Sequence, residues 1–210
     1  PCESRNHVLL GRKLAPKEGG SDDDQYFIGW DPAISSDRSA DYTVMMVLRR
    51  PAEEPDILEI VHIIRRKAMD FRTQIMEIQR LNARFRPDVI ELEANHFQRV
   101  FATELRANTD LPIKTFISSK TKRESLLMGL VLKFEREHIR MPIGDDYSRT
   151  MMNELKTELL LFGMSKHGKL ESIGRHDDMV IALALGHWAT TEFRERIIDL
   201  DELFPTTILD

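Results

Sequence analysis

Residues 25–32, Gln25-Tyr26-Phe27-Ile28-Gly29-Trp30-Asp31-Pro32, decide how the rest of the chain is read. The apolar run suits a strand. Pro32 removes a backbone donor and biases Asp31 to an extended conformation, so the strand stops with Asp31 at its tip. Residues 42–48 and 57–64, rich in Val, Ile and Met, are two further strands, and the segment 51–56, which carries Pro51 and Pro55, turns the chain between them. The period then switches. Phe71, Ile75, Ile78, Asn82 and Phe85 step by three or four and predict an amphipathic helix ending before Pro87. A strand at 88–93, a helix at 96–107, a strand at 112–117 and a helix at 122–138 follow. Tyr147, Met151, Leu155, Leu159 and Phe162 mark another helical stripe. Residues 162–174, with Gly163, Gly168 and Gly174, read as a β-hairpin or mobile loop, and the last strong helix spans 177 to about 193.

This order predicts an α/β domain with a mixed five-stranded sheet: three antiparallel strands, then alternating helix and strand, helices on both faces and an inserted β-hairpin. Residues 25–193 form the domain, 1–24 a linker or lead-in strand, and 194–210 an acidic C-terminal tail. The first and fourth strands are expected side by side, with their carboxyl ends on the edge where open α/β sheets bind ligands.

The 210 residues are 41% hydrophobic, an ordinary globular fraction that excludes whole-chain disorder. The single cysteine, Cys2, excludes an internal disulfide framework and a Cys-rich zinc module, and favours a reducing compartment. The longest run without a polar residue, 179–186, is far short of the ~18 residues of a membrane span. The chain starts without Met or a secretory pattern, so a piece of a longer protein is expected. A net charge of −5 argues against a non-specific polycation. Charge is nevertheless uneven: residues 61–86 and 118–140 are locally basic and 192–210 acidic. The 61–86 stretch reads as the solvated face of an amphipathic helix.

Asp31, Glu93 and the pair Asp177-Asp178 fall where the predicted topology gathers them. Assembling such carboxylates in a partly dry cleft implies bound cations. Oxygen ligands without a convergent Cys or His pair select Mg²⁺ or Mn²⁺, and such ions work with phosphate esters. Each residue also has a structural reading: Asp31 as a turn residue, Asp177 and Asp178 as helix caps, and one of Glu91 and Glu93, which share a strand face, as a solvated edge residue.

Four segments carry a resemblance. They are Ile28-Gly29-Trp30-Asp31-Pro32-Ala33 followed by Asp41-Tyr42-Thr43-Val44; the strand end Val89-Ile90-Glu91-Leu92-Glu93 followed by Phe97-Gln98; Lys120-Thr121-Lys122-Arg123-Glu124; and His176-Asp177-Asp178 leading an Ala-rich helix. Together, over residues 25–188, the chain resembles the nuclease domain of the large terminase subunit of tailed bacteriophages, a ribonuclease H-like fold. Glu93 stands where family members often have Asp.

The resemblance implies a metal-dependent endonuclease that cleaves concatemeric double-stranded viral DNA during genome packaging, by two-metal-ion phosphodiester hydrolysis with Mg²⁺ or Mn²⁺. In that reading Asp31 bridges both ions, Glu93 holds one and Asp178 the other. Asp177 is a ligand or a helix cap, and Asp41 a ligand or an orienter. The resemblance further implies an N-terminal packaging ATPase, for which no G-x-x-x-x-G-K-[ST] loop occurs here, with the small terminase subunit and the portal as partners. The implied location is the host bacterial cytoplasm, at the procapsid portal.

Lys120, Lys122 and Arg123 suit phosphate contacts or a solvated helix start, and Lys166, His167 and Lys169 form a DNA-touching hairpin tip or a polar turn. His176 positions a phosphate or a water, or is structural. Two other functions stay open: a catalytically silent ribonuclease H-like module that binds DNA or protein, and a resolvase- or transposase-type nuclease.

Overall fold

Strands whose side chains are buried on both faces build one large sheet between two helical layers. The computed structural model describes residues 9–10, 14, 22–33, 41–94, 98–164, 170–172 and 176–203. In chain order the elements are β1 (Leu9–Leu10), β2 (Gln25–Asp31), β3 (Thr43–Arg50), β4 (Leu58–Arg66), α1 (Phe71–Phe85), β5 (Val89–Glu93), α2 (Gln98–Asn108) and β6 (Ile113–Phe116). Then come α3 (Lys120–Glu135), β7 (Ile139–Pro142), α4 (Asp146–Leu160), β8 (Phe162–Met164), β9 (Leu170–Ser172) and α5 (Asp178–Leu203). The strand order is β1-β7-β4-β3-β2-β5-β6.

The expected mixed sheet is present, with β2 antiparallel to β3 and parallel to β5. Two short strands extend it beyond the expected five. The segment 139–142 pairs parallel to the start of β4, and Leu9–Leu10 pairs parallel to that segment in turn. A four-residue strand ending in proline carries too little pattern to stand out from its flanking helices. The inserted hairpin forms as β8 and β9. The last helix does not stop near residue 193 but continues to Leu203, so the first part of the expected acidic tail is helical.

Helix boundaries follow local chemistry. Asp70 caps α1 by accepting the Thr73 N–H at 2.7 Å, and the helix closes at Arg86, left-handed at φ 48°, directly before Pro87. Ser119 and Asp145 cap α3 and α4 in the same way. In one layer α1 and α2 bury Ile78, Leu81, Phe85, Ala102 and Leu105 against Ile28, Trp30, Met45, Val47 and Leu92. In the other, α3, α4 and α5 cover Val44, Met46, Leu48, Ile60 and Ile63. The α4 stripe is rotated from the expected one: Ser148, Met152, Leu155 and Glu158 are buried, while Tyr147 is 54% exposed.

Phe27 packs on Ala189 of α5, and an added Cβ on Gly29 would meet Ala182 and Gly186 of the same helix. By the two-residue period, Asp31 faces the α5 side as well.

Candidate metal centre

The register of the two central parallel strands sets the first pair. Trp30 is opposite Leu92, so the next residues along, Asp31 and Glu93, end their strands side by side. The chain beyond Asp31 is held by two bonds: the Ala33 N–H donates to Thr43 Oγ1 at 3.2 Å, and the buried Gln74 amide donates to the Ala33 carbonyl at 2.9 Å. Neither Glu91 nor Glu93 is a solvated edge residue, since both are buried.

The first turn of α5 delivers the second group. Its orphan N–H groups at Met179 and Val180 donate to one carboxylate oxygen of Glu158, at 2.8 and 3.4 Å, an N-terminal cap supplied by a different helix. Glu158 also takes Arg65 at 3.2 Å. Asp178 is thereby held buried, accepting the Tyr42 N–H at 3.3 Å. The Tyr42 ring meets His176 edge-on at 5.2 Å and lies 3.5 Å beneath the Arg65 guanidinium. Asp177 turns outward to Arg123 at 3.0 Å, and the same guanidinium is 3.7 Å from Glu93.

Burial and mutual repulsion act on these acids. The Asp31 carboxyl is raised well above the usual carboxylate range, first by burial, then by the charges of Glu93 and Asp178, a hydrogen bond with Glu93, and Asp177. Asp178 is pushed up to about 7, mainly by burial; the Tyr42 N–H opposes this, and Asp41, Glu158 and Asp177 add to it.

A second grouping shares Asp178. Single ligand atoms of Asp41, His176 and Asp178 lie within 4.8 Å of one another. Among the described residues, His176 Nδ1 is buried without a hydrogen-bond partner, 3.5 Å from Asp178 and 3.6 Å from Asp41. Converging carboxylates with a bare imidazole nitrogen fit a divalent cation. The oxygen-only expectation gains one nitrogen here.

Of the residues singled out from the sequence, Asp31, Glu93, Asp177, Asp178 and Asp41 are brought to this edge. Arg123 is there too, but bonded to the acids rather than free at the surface. Lys120 and Lys122 are exposed on the first turn of α3. Lys166, His167 and Lys169 lie outside the described residues. Glu158, Arg65 and Tyr42 escaped sequence reasoning; the one available signal was an acid placed in step with the α4 apolar positions Met151 and Leu155.

A central strand antiparallel to one neighbour and parallel to the other, with acids at its carboxyl edge and a closing helix that adds more, defines the ribonuclease H-like fold. The chain belongs to the family described as the terminase RNaseH-like domain, whose pattern matches residues 28–189. Among solved structures it is similar to the large terminase nuclease from thermophilic phage G20c with bound magnesium, at 21% identity and a TM-score of 0.63, covering 85% of this chain and 93% of that one. It is likewise similar to the Thermus phage P74-26 large terminase nuclease domain, at 21% identity and a TM-score of 0.63, covering 87% of this chain and 90% of that one. The HK97 bacteriophage large terminase matches at 13% identity and a TM-score of 0.55, over 84% of this chain and 41% of that one. Comparison with curated proteins returns no match. Among the described residues, no helix is long and apolar enough to cross a membrane.

Proposed function

We propose that the chain is a divalent-metal-dependent DNA endonuclease that cuts concatemeric double-stranded viral DNA during genome packaging. The observation that carries this reading is the gathering of acids at one sheet edge: Asp31 and Glu93 end adjacent parallel strands, and ligand atoms of Asp41, His176 and Asp178 lie within 4.8 Å of one another. Such a cluster is costly without a cation and is suited to holding one against a phosphate. Asp31, Glu93 and Asp178 would hold Mg²⁺ or Mn²⁺, and Asp41 and His176, which share a second grouping with Asp178, would supply ligands for a second ion. When bound, the ions supply the charge that activates water and neutralises the phosphate in the transition state.

The protein's own groups do the rest. The Tyr42 N–H and Glu158 orient Asp178 by fixing the loop and the helix start around it. Asp177, paired with Arg123, keeps a guanidinium beside Glu93, where it meets an incoming phosphodiester. Lys120 and Lys122 contact backbone phosphates, which suits cutting without base readout. The family assignment supports action in packaging, and this reading brings with it an ATPase domain elsewhere in the protein, the small terminase subunit and the portal as partners, in the bacterial cytoplasm.

The test is cleavage of plasmid and linear duplex DNA with Mg²⁺, with Mn²⁺ and with chelator. Wild type should cut only with metal, and Asp31→Asn should lose cutting while keeping its fold and duplex binding. Metal-dependent cutting that survives in Asp31→Asn overturns the assignment.

A further inference from the structure

The carboxyl edge that carries the acids continues across two more strands. Asp31 is opposite Val44, and Val44 is opposite Arg65. At a strand spacing of ~4.8 Å, Arg65 and Arg66 leave the sheet roughly 10 Å from Asp31. The outer edge of β4 is paired with β7 only at Leu58 and Glu59. From His62 to Arg66 that edge instead borders a groove of about 540 Å³, with α1 on one side and Tyr147 of α4 on the other.

Its lining is cationic. Arg66 from the strand end, and Arg80 and Arg84 from α1, face it together with Arg65. Arg66 and Arg80 are 60% and 76% exposed and share a single carboxylate, Glu77, at 3.4 and 2.9 Å. Two guanidinia on one carboxylate leave a positive excess facing solvent. Arg65 is used differently: it is nearly buried, tied to Glu158 and Glu154, and stacks on Tyr42, whose ring also lies 4.7 Å from the Lys67 ammonium. Since the Tyr42 N–H bonds Asp178, Arg65, Tyr42 and Asp178 form a packed link between groove and acids. The basic stretch is therefore more than a solvated helix face, because strand and helix arginines converge on one concavity at the edge that carries the acids.

We propose that this groove is a backbone-phosphate site for duplex DNA, holding one phosphate beside the acidic edge while another phosphate of the same duplex sits at the acids. The inference rests on the nuclease reading and adds to it a second anchor, made of side chains that touch neither the acids nor a metal. Guanidinia in a concave strip suit phosphate oxygens, which accept paired N–H groups.

The test is fluorescence anisotropy of the intact chain with a short labelled duplex, with Ca²⁺ replacing Mg²⁺ to limit cutting, across a series of salt concentrations. Cleavage with Mg²⁺ is measured alongside. Replacing Arg66, Arg80 and Arg84 together with Gln should weaken binding about tenfold or more and reduce the slope of log affinity against log salt by about two to three, near one unit per lost phosphate. Arg80→Gln alone, at an exposed helix position that cannot unfold the chain, should reduce the slope by about one. Arg80→Lys should restore it. If wild type binds and cuts while both Gln variants bind with unchanged affinity and slope, the groove is not a DNA site and the nuclease reading stands. If wild type neither binds nor cuts duplex, the nuclease reading fails and the groove proposal falls with it.

Discussion

Gly29 and Gly186 lie against each other, and their contact sets the distance between the strand that carries Asp31 and the helix that carries Asp178. A Cβ on Gly29 would sit 1.9 Å from the Ala182 carbonyl oxygen and 2.4 Å from the Gly186 nitrogen, both backbone atoms that cannot swing aside. A Cβ on Gly186 would meet Leu48 Cδ1 at 2.8 Å, the end of a side chain that can rotate. Gly29→Ala should therefore cost ~3 kcal/mol and displace α5, whereas Gly186→Ala should cost ~1 kcal/mol. Denaturant titration of the two variants measures the difference. Equal, small losses would mean that strand and helix are not in backbone contact.

Glu158 makes a second prediction. Its carboxylate is buried, capping two N–H groups of α5 and pairing with Arg65. Glu158→Ala leaves a buried guanidinium and a helix start without their acceptor, and should cost ~3 kcal/mol. Glu158→Gln keeps an oxygen toward α5 and should cost about half as much. Calorimetric titration should also show weaker Mn²⁺ binding in the Ala variant, because Asp178 loses the helix start that positions it. Unchanged stability and Mn²⁺ affinity in Glu158→Ala would refute this role.

The acids impose a pH signature. Asp178 is raised to about 7, so its contribution to folding is full below ~4, where the unfolded chain also holds the proton, and is lost as pH rises toward 7. His62 acts oppositely: pushed down to about 4, first by burial and then by Arg84, it loses its contribution as pH falls from ~6.5 to about 4. A metal requires the deprotonated carboxylates, so the rise in melting temperature produced by Mg²⁺ isolates the acids from His62. That rise should be small near about pH 5.5 and large near about pH 8. An equal rise at both would place the bound ion away from Asp178.

Arg123 sits where an ion would meet Asp177 and Glu93. Removing a positive charge from beside carboxylates favours cation binding. Arg123→Ala should bind Mn²⁺ at least as tightly as wild type by calorimetry, yet cut DNA several-fold more slowly through loss of a phosphate contact. Weaker Mn²⁺ binding in this variant would instead make Arg123 a support for the ligand geometry.

The strand ending at Asp31 was legible because proline stops strands, and the neighbourhood of Glu93 was legible because alternating helices and strands force parallel pairing. Other features depend on partners distant in the chain. Glu158 has the look of a surface acid on an amphipathic helix until α5 supplies the N–H groups it caps. That same exchange rotated the α4 stripe, burying Ser148 and Glu158 and leaving Tyr147 outside. Arg65 and Arg80 read alike as basic residues of one stretch, although Arg65 is stacked on Tyr42 and tied to Glu158 while Arg80 is exposed. His176 was weighed as a positioning or structural residue, and only the fold shows its Nδ1 beside two carboxylates.

The most direct test is diffraction from crystals soaked in Mn²⁺, with anomalous data collected to locate the ion. An anomalous peak coordinated by Asp31 and Glu93 or Asp178 is expected, as is its disappearance in Asp31→Asn. Manganese bound elsewhere on the chain, with these carboxylates unliganded at saturating concentration, would contradict it.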